Sequence, residues 1–207
     1  MIKENSGNFY RFKLDHDLGF GFAEVYDFTD EHPFDGCLVY VYNLRDTIDK
    51  KHYELSAIKK SGVALGPIRM NKFPNTRGLH SWKFLFKADE LLINELPETK
   101  ELQGLEWKDD NWDNFKTWYS SKRDLKELPK YVDYSKVRHL ETRILNSQPG
   151  VVKKFTMKVI LDNNEKLSDY YDLSDLGNKY VFIQMINTYY PLAKTKQFLK
   201  QLPSKGD

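Results

Sequence analysis

Hydrophobic positions alternate from the start of the chain. Over residues 9–14, Tyr10, Phe12 and Leu14 fall on one side and Arg11 and Lys13 on the other, the two-residue period of a half-buried strand. Residues 15–19 carry turn chemistry, and Phe20, Phe22, Glu24, Tyr26 and Phe28 then line one side of a second strand. Gly19 and Gly21 sit at its start, where a small residue admits a bulge or a sharp bend. Residues 38–44 are apolar on both sides, as a central strand is. Three strands joined by short loops predict an antiparallel meander able to curl into a small barrel.

Asp46 or Thr47 is a suitable N-cap for a helix running to about Lys60, with Ile48, Leu55 and Ile58 on its apolar side and Gly62 as its stop. Shorter strands are expected near 64–70 and 82–86, separated by a loop that contains Pro74, Asn75 and Gly78. Trp112, Phe115 and Tyr119 are spaced by three and four, which predicts an amphipathic helix over 110–119. A further helix is expected within 131–146. Residues 155–161, 166–173 and 180–186 read as strands, the first two joined by a hairpin turn at Asp162-Asn163-Asn164, and 192–202 as a closing helix. The predicted class is α+β: an antiparallel, β-rich N-terminal half forming a small barrel-like meander, with helices and a further β-rich C-terminal segment. The boundary is expected at about 96–105 or at Gln148-Pro149-Gly150, dividing a β-rich domain (1–100) from a mixed α/β extension (101–207), unless the two are one continuous domain. There is no internal repeat and no low-complexity run.

Composition narrows the class. The 207 residues include 13 Tyr, 13 Phe and 4 Trp, enough large apolar surface to build a core despite 30% charged residues. A net charge of +2 argues against capture of a polyanion by bulk charge. The single cysteine, Cys37, excludes an intramolecular disulfide and a cysteine-built zinc site. The first residues hold no apolar run of signal-peptide length, and no segment approaches the roughly 18 apolar residues of a membrane span. A cytoplasmic protein without a membrane partner is expected.

The small net charge conceals blocks. Residues 15–54 hold ten acids against Arg45, Lys50 and Lys51, whereas 55–88 hold seven bases and no acid. Residues 89–114 return to nine acids against two bases. Such blocks neutralise each other or solvate a surface in most proteins. A sharper reading is an acidic surface that steers a basic partner. A third uses the basic stretch, with Phe73, Trp82, Phe84 and Phe86, as a nucleic-acid surface of cations and stacking rings.

Catalytic motifs are not found. The histidines (His16, His32, His52, His80, His139) never recur at the i, i+4 spacing that puts two imidazoles on one helical face. His139-Leu140-Glu141 lacks the paired cysteines that zinc deaminases require. Asp162-Asn163-Asn164-Glu165 lacks the glycine and ligand spacing of a calcium loop. Gly19-Phe20-Gly21-Phe22 lacks the third glycine and following helix of a dinucleotide fingerprint. Cys37, at the end of an apolar strand, reads as a buried small hydrophobe. No cofactor and no metal are expected. An enzyme built from dispersed carboxylates remains an alternative.

Residues 7–14, Gly-Asn-Phe-Tyr-Arg-Phe-Lys-Leu, followed after a turn by 19–27, Gly-Phe-Gly-Phe-Ala-Glu-Val-Tyr-Asp, resemble the opening of the immunity protein 26 family of bacterial polymorphic-toxin systems. That family begins with a Gly-Asp-x-aromatic strand ending in Leu, then a strand of the form Gly-Tyr-Gly-Arg-Val. Pro67-Ile68-Arg69-Met70, Gly78 and Trp82-Lys83 also look like its later strand and tryptophan region. The resemblance spans roughly residues 7–86. Asn8 stands where the family has Asp, and Ala23-Glu24 where it has a small residue and Arg. It implies a β-rich, barrel-like fold and a non-catalytic cytosolic protein that binds and occludes a cognate toxin, and it supplies no residue-level site.

The residues themselves offer two candidate surfaces. The loop over residues 27–36 carries Asp27, Asp30, Glu31 and Asp35 around Phe28, Pro33 and Phe34, an acidic rim with apolar anchors that suits a basic toxin; an ordinary solvated loop whose Phe28 and Phe34 tuck into the core is the competing reading. The alternative nucleic-acid surface comprises Arg69, Lys72, Arg77 and Lys83.

Overall fold

The computed structural model describes residues 5–29, 36–78, 80–93, 97–102, 118–121, 130–142 and 144–203, with the side chains of 101–131 outside that description. Five strands form one antiparallel sheet: β1 (Asn8–Lys13), β2 (Phe20–Phe28), β3 (Gly36–Asp46), β4 (Val63–Met70) and β5 (Lys83–Lys87), in the order β4-β3-β2-β1-β5. A second sheet joins β6 (Thr99–Leu102), β7 (Trp118–Ser121) and β8 (Lys130–Val132). The helices are α1 (Leu55–Lys60), α2 (Tyr134–Val137), α3 (Gln148–Asp162), α4 (Leu176–Tyr189) and α5 (Leu192–Leu199). This is the mixed α+β class with an antiparallel N-terminal sheet that the hydrophobic pattern predicts.

The sheet is buried on both faces. One face presents Tyr10, Phe12, Ala23, Val25, Val39, Val41, Leu65 and Ile68, which pack with Val151, Phe155, Phe182, Met185 and Ile186 of α3 and α4. The opposite face presents Phe9, Phe22 and Tyr42, covered by Ile58 of α1 and by Ala88, and farther along Tyr26, Phe28, Leu38 and Tyr40, covered by Leu91 and Ile93. The helices from the C-terminal part therefore share a core with strands from the N-terminal part.

The barrel does not close. β4 and β5 lie at opposite edges of the sheet. The end of β4 is met instead by the segment preceding α3: Met70 bridges Asn146, and the Asn146 N–H donates to the Arg69 carbonyl at 2.8 Å.

Several elements differ from the sequence reading. β3 continues to Asp46, which pairs with Phe20, so the helix expected from Asp46 or Thr47 begins only at Leu55. The Asp46 carboxylate binds the Ile48 N–H and Lys50 rather than capping a helix. Gly62, with φ +75°, follows the end of α1 as anticipated. Most of the helix expected over 110–119 lies outside the described residues, but Tyr119 belongs to β7. Within 131–146 the helix is confined to α2, because β8 takes the residues before it.

The largest correction concerns the C-terminal part. The strands expected at 155–161 and 180–186 are α3 and α4, and 166–173 contains a single 3-10 turn, Leu167–Asp169. Among the described residues no strand follows residue 148, and the Asp162–Asn164 turn ends a helix instead of joining a hairpin. Gln148-Pro149-Gly150, which composition marks as a break, is the first turn of α3. The Ser147 hydroxyl caps it by accepting from the Gly150 N–H at 3.2 Å, and the Asp175 carboxylate caps α4 by accepting from the Asn178 N–H at 2.8 Å.

Gly21 is the closest approach between sheet and helices. A Cβ there would lie 2.7 Å from Cζ of Phe12 and 2.9 Å from Cδ1 of Phe155. Both rings are almost fully buried and packed edge to face, so neither has room to yield. Gly21→Ala is expected to lower the unfolding free energy by about 1–3 kcal/mol, measured by urea denaturation; unchanged stability would show that α3 is not seated on β1 and β2 as described.

Candidate functional site

The residues singled out from sequence do not form one surface. Asp30, Glu31, Phe34 and Asp35 lie outside the described residues. Asp27 is buried, and its carboxylate accepts from the Thr29 N–H at 3.0 Å and the Thr29 hydroxyl at 2.7 Å. It braces the end of β2 from inside. Arg69 is buried within β4 opposite Leu38, away from any phosphate backbone. Lys72, Arg77 and Lys83 are exposed, and none of them forms an ion pair among the described residues.

Lys83 opens β5 and borders a groove. β5 pairs with β1 only as far as Lys83 opposite Arg11. Phe12 and Lys13 therefore have a strand neighbour on the β2 side alone. The chain before β5 turns away at Trp82, whose N–H donates to the Asn75 carbonyl at 2.9 Å. The resulting groove has a volume of about 550 Å³ and is lined by Arg11, Lys13, Phe20, Trp82, Lys83 and Phe84 among others. A smaller cavity of about 250 Å³ shares Lys13 and Trp82 and extends toward Asp15, His16 and His80.

Three cations and three rings thus meet at one corner of the sheet. The Arg11 guanidinium stacks over Phe20 at 4.4 Å and pairs with Asp49. Lys13 pairs with Asp17 across an exposed gap, an interaction worth little in water. Lys83 has no acid beside it. Trp82 stacks on Phe12 at 4.8 Å, and its buried Nε1 makes no hydrogen bond among the described residues. Phe84, packed edge-on to Tyr10, remains 48% exposed, a large fraction for an aromatic ring on a sheet. Phe20, Arg11 and Lys13 were legible only as strand positions, because nothing local in the sequence says where β5 ends.

Two clusters of buried polar side chains lie inside the protein, centred on Glu24 and Glu141. On the face covered by α1, the fully buried Glu24 accepts from the Tyr26 hydroxyl at 2.6 Å and the Tyr42 hydroxyl at 2.7 Å. Burial and the adjacent carboxyl push both phenols well above their usual range. Tyr26 also accepts from the Leu92 N–H at 2.5 Å, tying the chain after β5 to the sheet.

The second cluster joins residues near β6 and α2 to the helices. Glu141 pairs with Lys154 at 2.7 Å and accepts from the Tyr189 hydroxyl, which in turn accepts from the Gly66 N–H at 2.8 Å. Lys100 donates to the Arg138 carbonyl at 2.7 Å and the Thr188 hydroxyl at 3.2 Å. Arg138 donates to the Tyr190 carbonyl and to Thr195. Burial lowers the Lys100 ammonium to about 7, with the charges of Lys154 and Arg138 acting in the same direction and Glu141 opposing them. Each group named holds one chain segment against another, and none lines a described cavity.

Among the described residues no group of three or more His, Cys, Asp or Glu is arranged to hold a metal ion. Cys37 is buried, and burial followed by the charge of Asp27 pushes its thiol up to about 12, far from a reactive thiolate at neutral pH. No helix among the described residues is long and apolar enough to cross a membrane. Comparison with known proteins adds no relative: no family model, curated protein or solved structure matches this chain.

The Lys100 cluster makes stability depend on pH in a defined direction. An unfolded lysine keeps its proton up to its ordinary value of 10.5, whereas folded Lys100 loses it near 7. Between those values the unfolded chain binds the extra proton, so stability rises with pH. From pH 7 to 9 the gain from this group is expected to be about 1–3 kcal/mol, at roughly 1.4 kcal/mol per unit at most. Lys100→Met, which keeps the apolar stem, should flatten that rise in urea denaturation at pH 7, 8 and 9; an unaltered slope would remove Lys100 as its source.

Proposed function

We propose that this chain is a non-catalytic binding protein of the immunity type, acting in the cytoplasm to capture and occlude a cognate toxin protein. The observation that supports it most is the open corner of the sheet, where an exposed edge strand adjoins a groove of cations and rings. Such a surface offers backbone hydrogen bonds and apolar anchors to another chain. The buried acids and lysines described above serve as internal struts, leaving no described cavity with an assembled nucleophile, base and oxyanion donor. The likeness of residues 7–86 to immunity proteins points the same way.

A second reading has one observation in its favour. Lys72, Arg77 and Lys83 are exposed and form no ion pairs among the described residues, and Lys83 borders the groove beside the half-exposed ring of Phe84, so cations and a stacking ring for single-strand nucleic acid are present. The two readings separate on the bound species and on salt.

The expected result of capture from a lysate of cells expressing the protein is one stoichiometric protein partner whose toxic activity falls to background at one equivalent. Recovery of nucleic acid instead, with binding that drops about a thousandfold or more between 50 and 200 mM salt, would replace the immunity reading with the nucleic-acid one.

A further inference from the structure

We infer that the partner contributes an extended, acidic segment that adds to the outer edge of β5 as a sixth strand; this deepens the binding-protein reading and rests on it. The two sheet edges are treated differently by the fold. β4 is met at its end by Asn146 and lies against α3. β5 is paired with β1 on one side, and no described strand pairs with the other. Its sequence is Lys83-Phe84-Leu85-Phe86-Lys87, so three residues separate two exposed lysines; the inward backbone groups pair with β1, with an irregularity at Leu85, and the outward side faces no described strand.

Lysines on an edge strand are a common guard against unwanted pairing. That role accounts for Lys83 and Lys87, yet it does not account for Phe84, which stands 48% exposed between them. A guarded edge hides its rings; an edge meant to be covered displays one. Neither lysine has an acidic partner among the described residues, and the stretch from 55 to 88 contains no acid at all. An added strand bearing Asp or Glu near each end would neutralise both ammonium groups and bury Phe84 under its apolar positions. Strand addition supplies affinity through the main chain, and side chains at alternate positions supply the choice of partner.

The groove extends the same surface. Because β5 stops at Lys83, an added strand that continues past it passes over the space bordered by Trp82, Arg11 and Lys13. Those cations favour further acid in the segment, and the partly exposed ring of Phe20 gives it an apolar floor. A nucleic acid would use the same cations, but it has no backbone N–H and C=O pattern to match an unpaired strand. The open edge therefore favours a polypeptide.

The test uses the full chain and a random library of linear peptides displayed on phage. Enrichment of peptides that alternate apolar residues with an excess of Asp and Glu is expected. Synthetic copies should bind at least about tenfold more weakly to the double variant Lys83→Glu/Lys87→Glu and to Phe84→Ser. N-methylation of alternate amides on the pairing side should abolish binding. Unaltered circular dichroism of the variants, which change only exposed positions, separates loss of binding from loss of folding. No enrichment, enrichment of peptides without acid, equal binding to the variants, or displacement of the peptides by a thymidine oligonucleotide would each overturn the proposal. A toxin-like partner whose affinity ignores these variants would sink the strand-addition site and leave the immunity reading standing. Acidic peptides that bind the edge of a protein with no toxin partner would do the reverse.

Discussion

Covering both faces of one five-stranded sheet is the constraint on which the other features depend. β2 and β3 carry apolar side chains at successive positions, so neither face can be left to water. α3 and α4 supply one cover and α1 with the chain after β5 the other. The stacking of Phe12, Trp82 and Phe155 around Gly21 sets how closely the first cover approaches. A sheet clad in this way leaves its edges open to pairing, and the segment before α3 already occupies the end of one of them. Closure into a barrel would have consumed both.

The polar interior follows from the same packing. Cladding the sheet puts Glu24 beneath α1 and brings Glu141 and Lys154 between segments far apart in sequence. A buried carboxyl is tolerated only with its hydrogen bonds made. Tyr26 and Tyr42 make them for Glu24, while Lys154, Tyr189 and the Thr142 N–H make them for Glu141. Around Glu141 the cations outnumber the acid: Lys100, Lys154 and Arg138 surround one carboxylate. Burial is the main reason Lys100 gives up its proton easily, with the charges of Lys154 and Arg138 adding to it against that of Glu141. The perturbed groups Lys100 and Tyr189 each bond to a segment far away in sequence.

How much of this was legible depended on how each segment meets its cover. β1 to β5 were readable because alternation and turn residues agree there, down to Gly62 after α1. α3 and α4 were misread because they are buried on most sides. In α3, Val151, Val152, Lys154, Phe155, Thr156, Met157, Ile160 and Leu161 are all buried, which erases the polar stripe that betrays a helix. Short β-branched runs then imitate strands. The caps were nevertheless in the sequence: Ser147 before Gln148-Pro149, and Asp175 before Leu176, are helix starts by chemistry alone. The groove was not legible, since it arises from where β5 stops relative to β1, a long-range register that no local pattern encodes.

Charge acquires its meaning only once the sheet order is known. As blocks along the chain, acids from 15 to 54 and bases from 55 to 88 nearly cancel, and their bland interpretation is mutual neutralisation. In the fold no ion pair among the described residues joins the two blocks: Asp17, Asp46 and Asp49 pair with Lys13, Lys50 and Arg11, and Asp27 and Arg69 are buried. Lys83 and Lys87 are neither paired in that way nor buried. They flank an exposed aromatic on the open edge, beside a groove whose other cations are held by weak, solvent-facing or shared partners. An edge with no described strand beside it, two lysines without an acidic partner among the described residues and an exposed ring all fall on the same strand. Each is individually ordinary on a protein surface, but together they specify the shape, polarity and sign of charge of what fits there.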